Sequence, residues 1–135
     1  MRVALIAPPW LPVPPVAYGG TEQVIDQLAR GLHERGHEVV LFTTGDSTCP
    51  VAKDWVLEST EGVVLGDVVT ELRHVSSAYR RLKGFDVIHD HTLSGPLCSA
   101  FFPTPVVTTN HGPFSRELEP LYRVIGRKVP IVAIS

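Results

Sequence analysis

Short apolar runs rich in β-branched residues alternate with longer amphipathic stretches along the whole chain. This alternation is the strongest constraint on the fold. A strand, a helix and a further parallel strand pack as a right-handed crossover, and repeating the unit builds a parallel sheet covered by helices. Val3 to Ala7 is apolar at every position, as a strand buried on both faces must be. Thr21 to Arg35 reads as a helix, with Val24, Leu28 and Leu32 stacked, Ile25 and Ala29 alongside, and Gly36 ending it. Glu38 to Thr43 is a second strand, and Asp54 to Glu58 is expected as a third, at an edge. A long helix is expected from Asp67 to Lys83, with Val68, Leu72, Val75, Tyr79 and Leu82 on its buried face and Gly84 closing it. Arg80, Arg81 and Lys83 crowd its last turn, where cations complement the helix dipole; an anion patch is the alternative reading. The remaining elements are strand Asp86 to His89, short helix Leu93 to Phe102, strand Pro105 to Thr109, helix Ser115 to Lys128 and strand Ile131 to Ile134. The fold class is therefore α/β: a Rossmann-like, doubly wound parallel sheet in three α/β/α layers, forming one domain over residues 1-135.

Composition narrows the function. With 44% hydrophobic and 19% charged residues, the chain fills a core. A formal charge of -2 provides no basic footprint for nucleic acid. Two cysteines, Cys49 and Cys98, are too few for a disulfide framework and fit a reducing cytosol. The apolar run after Met1-Arg2 stops at Pro8-Pro9, short of a secretory core segment. No stretch reaches membrane-spanning length, so a soluble, cytoplasmic protein without an integral membrane segment is expected. The last strand has no helix after it, which reads as a domain cut from a longer chain.

Ligands of open parallel sheets bind beyond the carboxyl ends of the strands. The residues there are the loop from Pro8 to Thr21, the Thr44-Gly45-Asp46-Ser47 turn, Asp90-His91-Thr92 and Asn110-His111-Gly112-Pro113. The first loop is long and stiffened by Pro8, Pro9, Pro12, Pro14 and Pro15; Pro12-Val13-Pro14-Pro15 is also a weak match to proline-rich recognition peptides. Gly19-Gly20 then lets backbone N–H groups approach an oxyanion at a helix start. The loop lacks the Gly-x-Gly-x-x-Gly spacing of a dinucleotide fingerprint and a Walker lysine. Asp46 imitates a ribose-binding acid, but Gly45-Asp46-Ser47 is ordinary turn composition. His89 and His91 point to one side of their strand and Asp90 to the other. A three-imidazole metal site of His89, His91 and His111 is one alternative, weakened by the lack of an acidic or sulfur ligand at a familiar spacing. The other makes His89 a core histidine, with His91 and His111 offering hydrogen bonds at the ligand edge.

In order along the chain, Ala7-Pro8-Pro9, Tyr18-Gly19-Gly20-Thr21-Glu22, Arg35-Gly36-His37-Glu38-Val39, Gly45-Asp46-Ser47, Asp86-Val87-Ile88-His89-Asp90-His91, Pro105 to Gly112 and Val132-Ala133-Ile134-Ser135 resemble the N-terminal domain of a family four glycosyltransferase of the GT-B architecture. The Tyr-Gly-Gly-Thr-Glu start and the Gly-Asp-Ser turn are most similar to the antibiotic-biosynthesis subgroup. The resemblance implies a two-domain enzyme in which this domain shapes the acceptor side. The missing C-terminal domain would grip a nucleotide-diphosphate sugar. It implies transfer with retention of anomeric configuration, without a metal or other cofactor. Carried onto this sequence, Gly19, Gly20 and Thr21 would contact the donor diphosphate, His111 would lie against the transferred sugar, and Tyr18, Asp90, His91 and Asn110 would line the acceptor side. Without the donor-binding half, the chain alone is expected to be inactive. The competing expectation is a stand-alone small-molecule binding module or one subunit of a split enzyme.

Overall fold

The computed structural model describes residues 1–134; Ser135, the last residue of the Val-Ala-Ile-Ser motif, lies outside the described residues. Six strands run in order β1 (Arg2–Ile6), β2 (Glu38–Thr43), β3 (Ala52–Trp55), β4 (Val87–Asp90), β5 (Val106–Asn110) and β6 (Ile131–Ala133). The helices are α1 (Gly20–Glu34), α2 (Val68–Tyr79), α3 (Gly95–Cys98), continued by a 3₁₀ turn at Ser99–Phe101, and α4 (Glu119–Ile125). Every strand pair is parallel, and the sheet order is β3-β2-β1-β4-β5-β6. The doubly wound Rossmann-like sheet read from the alternation is the observed fold.

The pleat explains the layers. Ala4 and Ile6 of β1 face Val75, Ala78 and Tyr79 of α2 in one core, which continues to Ile125 of α4. Val3 and Leu5 face the other way, toward Ile25 and Ala29 of α1. β1 is thus apolar throughout because each of its faces is an interior.

Element boundaries moved where side chains compete with the pattern. β3 lies at the edge as expected but begins at Ala52, because it pairs with Val40–Thr43 while Lys53 Nζ donates to Ser47 O at 2.7 Å. α2 stops at Tyr79 instead of running to Lys83. Arg81 N–H bonds to Ala78 O at 2.9 Å, tightening the turn, and Gly84 follows at φ +86°. Of the cations beyond α2, Arg81 ties its end down: Nε donates to Ser77 O at 3.1 Å and the guanidinium pairs with Asp54 of β3. The expected inner face of α2 holds for Val75, Tyr79 and Leu82, whereas Val68 is 63% exposed and Leu72 is exposed too. Glu71 and His74 are buried in their place, because the N-terminal half of α2 lies over the polar carboxyl edge of the sheet. There Glu71 Oε1 accepts from Ser94 N and Oγ at 2.8 and 2.6 Å. α1 is rotated similarly, with Val24 exposed and Asp26 buried against Arg30 at 2.7 Å. α4 is shorter than the expected Ser115 to Lys128, since Leu118 N–H closes a separate turn on Ser115 O at 3.1 Å. Among the described residues, no helix is long and apolar enough to cross a membrane.

His74 is buried with no hydrogen-bond partner for Nε2, and burial depresses its pKa to about 4. Its folded-state pKa lies below the unfolded value of 6.5. The resulting stability is present above 6.5 and lost as pH falls through about 4. In urea unfolding across that window, His74→Leu is expected to reduce the acid loss by about 3 kcal/mol at pH 4 relative to wild type. Identical acid limbs in the two proteins would contradict this assignment.

Candidate functional site

The sheet order reverses between β1 and β4, so the chain leaves these neighbouring strands in opposite directions and opens a crevice at their carboxyl ends. A cleft of about 870 Å³ occupies this point. Its walls are residues 18–22 after β1, 91–93 after β4 and 109–112 after β5, joined by Trp10, Leu11 and Tyr122. Three strand ends that are far apart in sequence thus meet in one place.

The long first loop is held by Val13, which is fully buried. Its N–H donates to Ser47 Oγ at 2.9 Å, and its carbonyl accepts from Thr48 N and Cys49 N, each at 2.9 Å. This anchors the proline run at Val13, with Pro12, Pro14 and Pro15 half-buried around it. Asp46 accepts from Thr60 N and Oγ1 at 2.8 Å, so it ties a turn and lies outside the cleft. The two glycines differ. A Cβ on Gly19 would come within 2.6 Å of Pro15 Cβ and 2.8 Å of Glu22 Oε2, whereas one on Gly20 would meet nothing within 4 Å. Gly19 is needed for the loop to close on the helix; Gly20 leaves open the space in front of the first turn of α1. Tyr18 is 91% exposed on the rim.

The histidines pack as a column. His89 and His91 stack with ring centroids 4.3 Å apart and an interplanar angle of 26°. His89 Nε2 is 2.7 Å from Thr109 Oγ1, and His91 Nδ1 is 2.8 Å from His111 Nε2. No group of three or more metal-binding side chains occurs among the described residues. Burial holds His89 at about 4, His91 well below the ordinary imidazole range and His111 below it. All three are neutral at pH 7, and each ring then has one donor and one acceptor. His91 is only 5% exposed and spends its Nδ1 on His111, so His111 is the more accessible member of the pair.

Asp90 requires a correction. The resemblance placed it on the acceptor wall, but it is fully buried on the opposite face of the sheet and does not line the cleft. The alternation argument, which aimed it away from the histidines, holds. Its carboxylate accepts from Tyr79 OH at 2.8 Å and from Thr92 N and Oγ1 at 2.8 and 2.7 Å. Desolvation raises its pKa to about 6. It fixes the His91–Thr92 turn from beneath and touches Gly95 so closely that no side chain fits there. Asn110 also acts on its own loop: Nδ2 donates to Gly112 O at 2.7 Å, and Oδ1 accepts from Gly112 N and Tyr122 OH at 3.1 and 2.9 Å.

Two carboxylates in the cleft escaped the sequence reading. Glu22 and Glu71 are buried and both line it. Burial raises the Glu22 pKa. Its position three residues after Gly19 was the available signal, since acids at that helical position reach back to the helix start. Glu71 had no such signal, because its helical spacing reads as solvent-facing.

A parallel sheet with this strand order and a switch-point cleft defines the doubly wound α/β class, whose ligands bind in the crevice beyond the carboxyl ends of the strands. Glycosyltransferase Family 4 matches residues 18–132, and the chain belongs to that family, its fold being that of a GT-B N-terminal domain. Compared by sequence with curated proteins, it matches none. Among solved structures it is similar to AviGT4, a glycosyltransferase involved in avilamycin A biosynthesis, with 28% identity and a TM-score of 0.58. The match covers 82% of this chain and 32% of that one, so the chain spans about a third of its neighbour.

Gly19→Ala is expected to destabilise the fold by roughly 1–3 kcal/mol through overpacking against Pro15. Gly20→Ala is expected to be neutral or stabilising by up to about 1 kcal/mol. Denaturant unfolding of the two variants checks the contrast, and equal losses would show that the glycines are not distinct.

Proposed function

We propose that this chain is the acceptor-side half of a retaining, metal-independent glycosyltransferase. In this reading it acts on a nucleotide-diphosphate sugar together with a C-terminal domain and is inactive without it. The observation that carries the reading is the convergence of the glycine loop and His111 on one cleft. The bond from the sugar's anomeric carbon to the diphosphate breaks, a bond to the acceptor oxygen forms, and the acceptor proton passes to the departing diphosphate. Negative charge therefore grows on the leaving group. The free N–H groups of the first turn of α1, reached over Gly19, Gly20 and Thr21, are placed to stabilise it. Glu22 occupies the same helix start, so the diphosphate must displace its carboxylate or bind with it protonated. His111 supplies a neutral hydrogen-bonding ring to the transferred sugar, Tyr18 and His91 belong to the acceptor side, and Asn110 holds the His111 loop in shape. The match to about a third of a known glycosyltransferase supports a second domain. The unpaired Cys49 and Cys98 fit a cytoplasmic setting.

Gly20→Val in the two-domain enzyme is expected to cut transfer by at least about 100-fold, the scale of losing one preorganised donor site. Melting of the isolated chain should be little changed, since its added side chain enters open space. Full transfer by that variant would remove the loop from the mechanism.

A further inference from the structure

The cleft's chemistry constrains what it accepts. The chain has 12 lysines and arginines, yet none lines the cleft among the described residues. The ionisable side chains there include two buried carboxylates, Glu22 and Glu71, and two neutral histidines, His91 and His111. The same cleft is lined by the apolar side chains of Trp10, Leu11, Val63, Leu65, Leu93 and Leu118. Leu65 is 74% exposed and Leu93 42%, so this wall is open to a ligand. Exposed apolar side chains gathered in one cleft mark a binding face.

Resting on the glycosyltransferase reading above, we propose that the acceptor is an uncharged molecule with a broad apolar face, and not a phosphorylated or carboxylated one. An anionic acceptor would shed its hydration beside two carboxylates, with no cation on this wall to replace the lost water. The donor diphosphate already brings negative charge into the cleft, so a second anion adds like-charge repulsion at short range. A neutral acceptor escapes both costs and gains by covering the leucine and tryptophan wall. A hydroxyl on it finds a polar partner in the half-buried His111 ring, which lines the same cleft.

The test needs no catalysis. Nitrogen–proton NMR spectra of the 135-residue chain are titrated with 2-naphthyl glucoside and, separately, with 2-naphthyl phosphate. These probes share one aromatic body and differ in charge. The glucoside is expected to shift the amides of Leu11, Leu65 and Leu93, with a Kd at least about tenfold lower than that of the phosphate. Leu93→Arg, which places a cation on the wall, is expected to narrow or reverse that ratio. Equal or tighter binding of the phosphate to wild type, an unchanged ratio in Leu93→Arg, or no shift at these amides with either probe would overturn the proposal. The transferase reading fails separately: a wild-type two-domain enzyme that transfers no sugar from any nucleotide-diphosphate sugar would sink it even if the glucoside binds as expected.

Discussion

The parallel pairing of β1 with β4 is the contact on which the rest of the molecule depends. It places Ile6 beside Asp90, and His91 N–H extends the ladder by donating to Ile6 O at 2.9 Å. This is where the strand order reverses. The connections leaving β1 and β4 diverge, and the cleft between them is what the sheet leaves open. Both faces of β1 are interior, so the edge of the cleft rests on a rigid floor and its loops are positioned by the sheet.

Two buried polar groups carry that rigidity into the site from opposite faces. Beneath the sheet, Asp90 gathers Tyr79, Thr92 and the close-packed Gly95 into one knot, fixing the turn after β4. Above it, the stacked His89 and His91 connect to β5 through Thr109 and His111. Two turns from different strands are therefore locked together by neutral hydrogen bonds. Such bonds keep their geometry only while the rings stay uncharged, and burial provides that condition.

Period and composition made the sheet legible. The apolar run at Val3 to Ala7, the glycine stop at Gly36 and the alternation at His89–His91 each have a single physical reading, and the structure follows them. The inner faces at the starts of α1 and α2 were less legible. There a polar sheet edge draws Glu22, Asp26, Glu71 and His74 inward, while Val24, Val68 and Leu72 face water. Amphipathic periodicity assumes an apolar neighbour, and that assumption fails beside a binding cleft. The glycine loop and the positions of His91 and His111 were visible as residues at strand ends. That Gly20 is the open member of its pair and Asp90 a hidden support depends on packing, which no spacing records. The Asp90 assignment failed because the resemblance overrode the pleat.

The central claim is that the space in front of Gly20 and His111 is where a glycosyl diphosphate reacts. A crystal structure of the two-domain enzyme with a nucleoside diphosphate and sugar bound tests it directly. The account predicts a phosphate oxygen within hydrogen-bond distance of the Gly20 or Thr21 N–H, the sugar against the His111 ring, and the Glu22 carboxylate displaced from the start of α1. A diphosphate and sugar held by the other domain alone, with Glu22 still folded against Gly19, would contradict it.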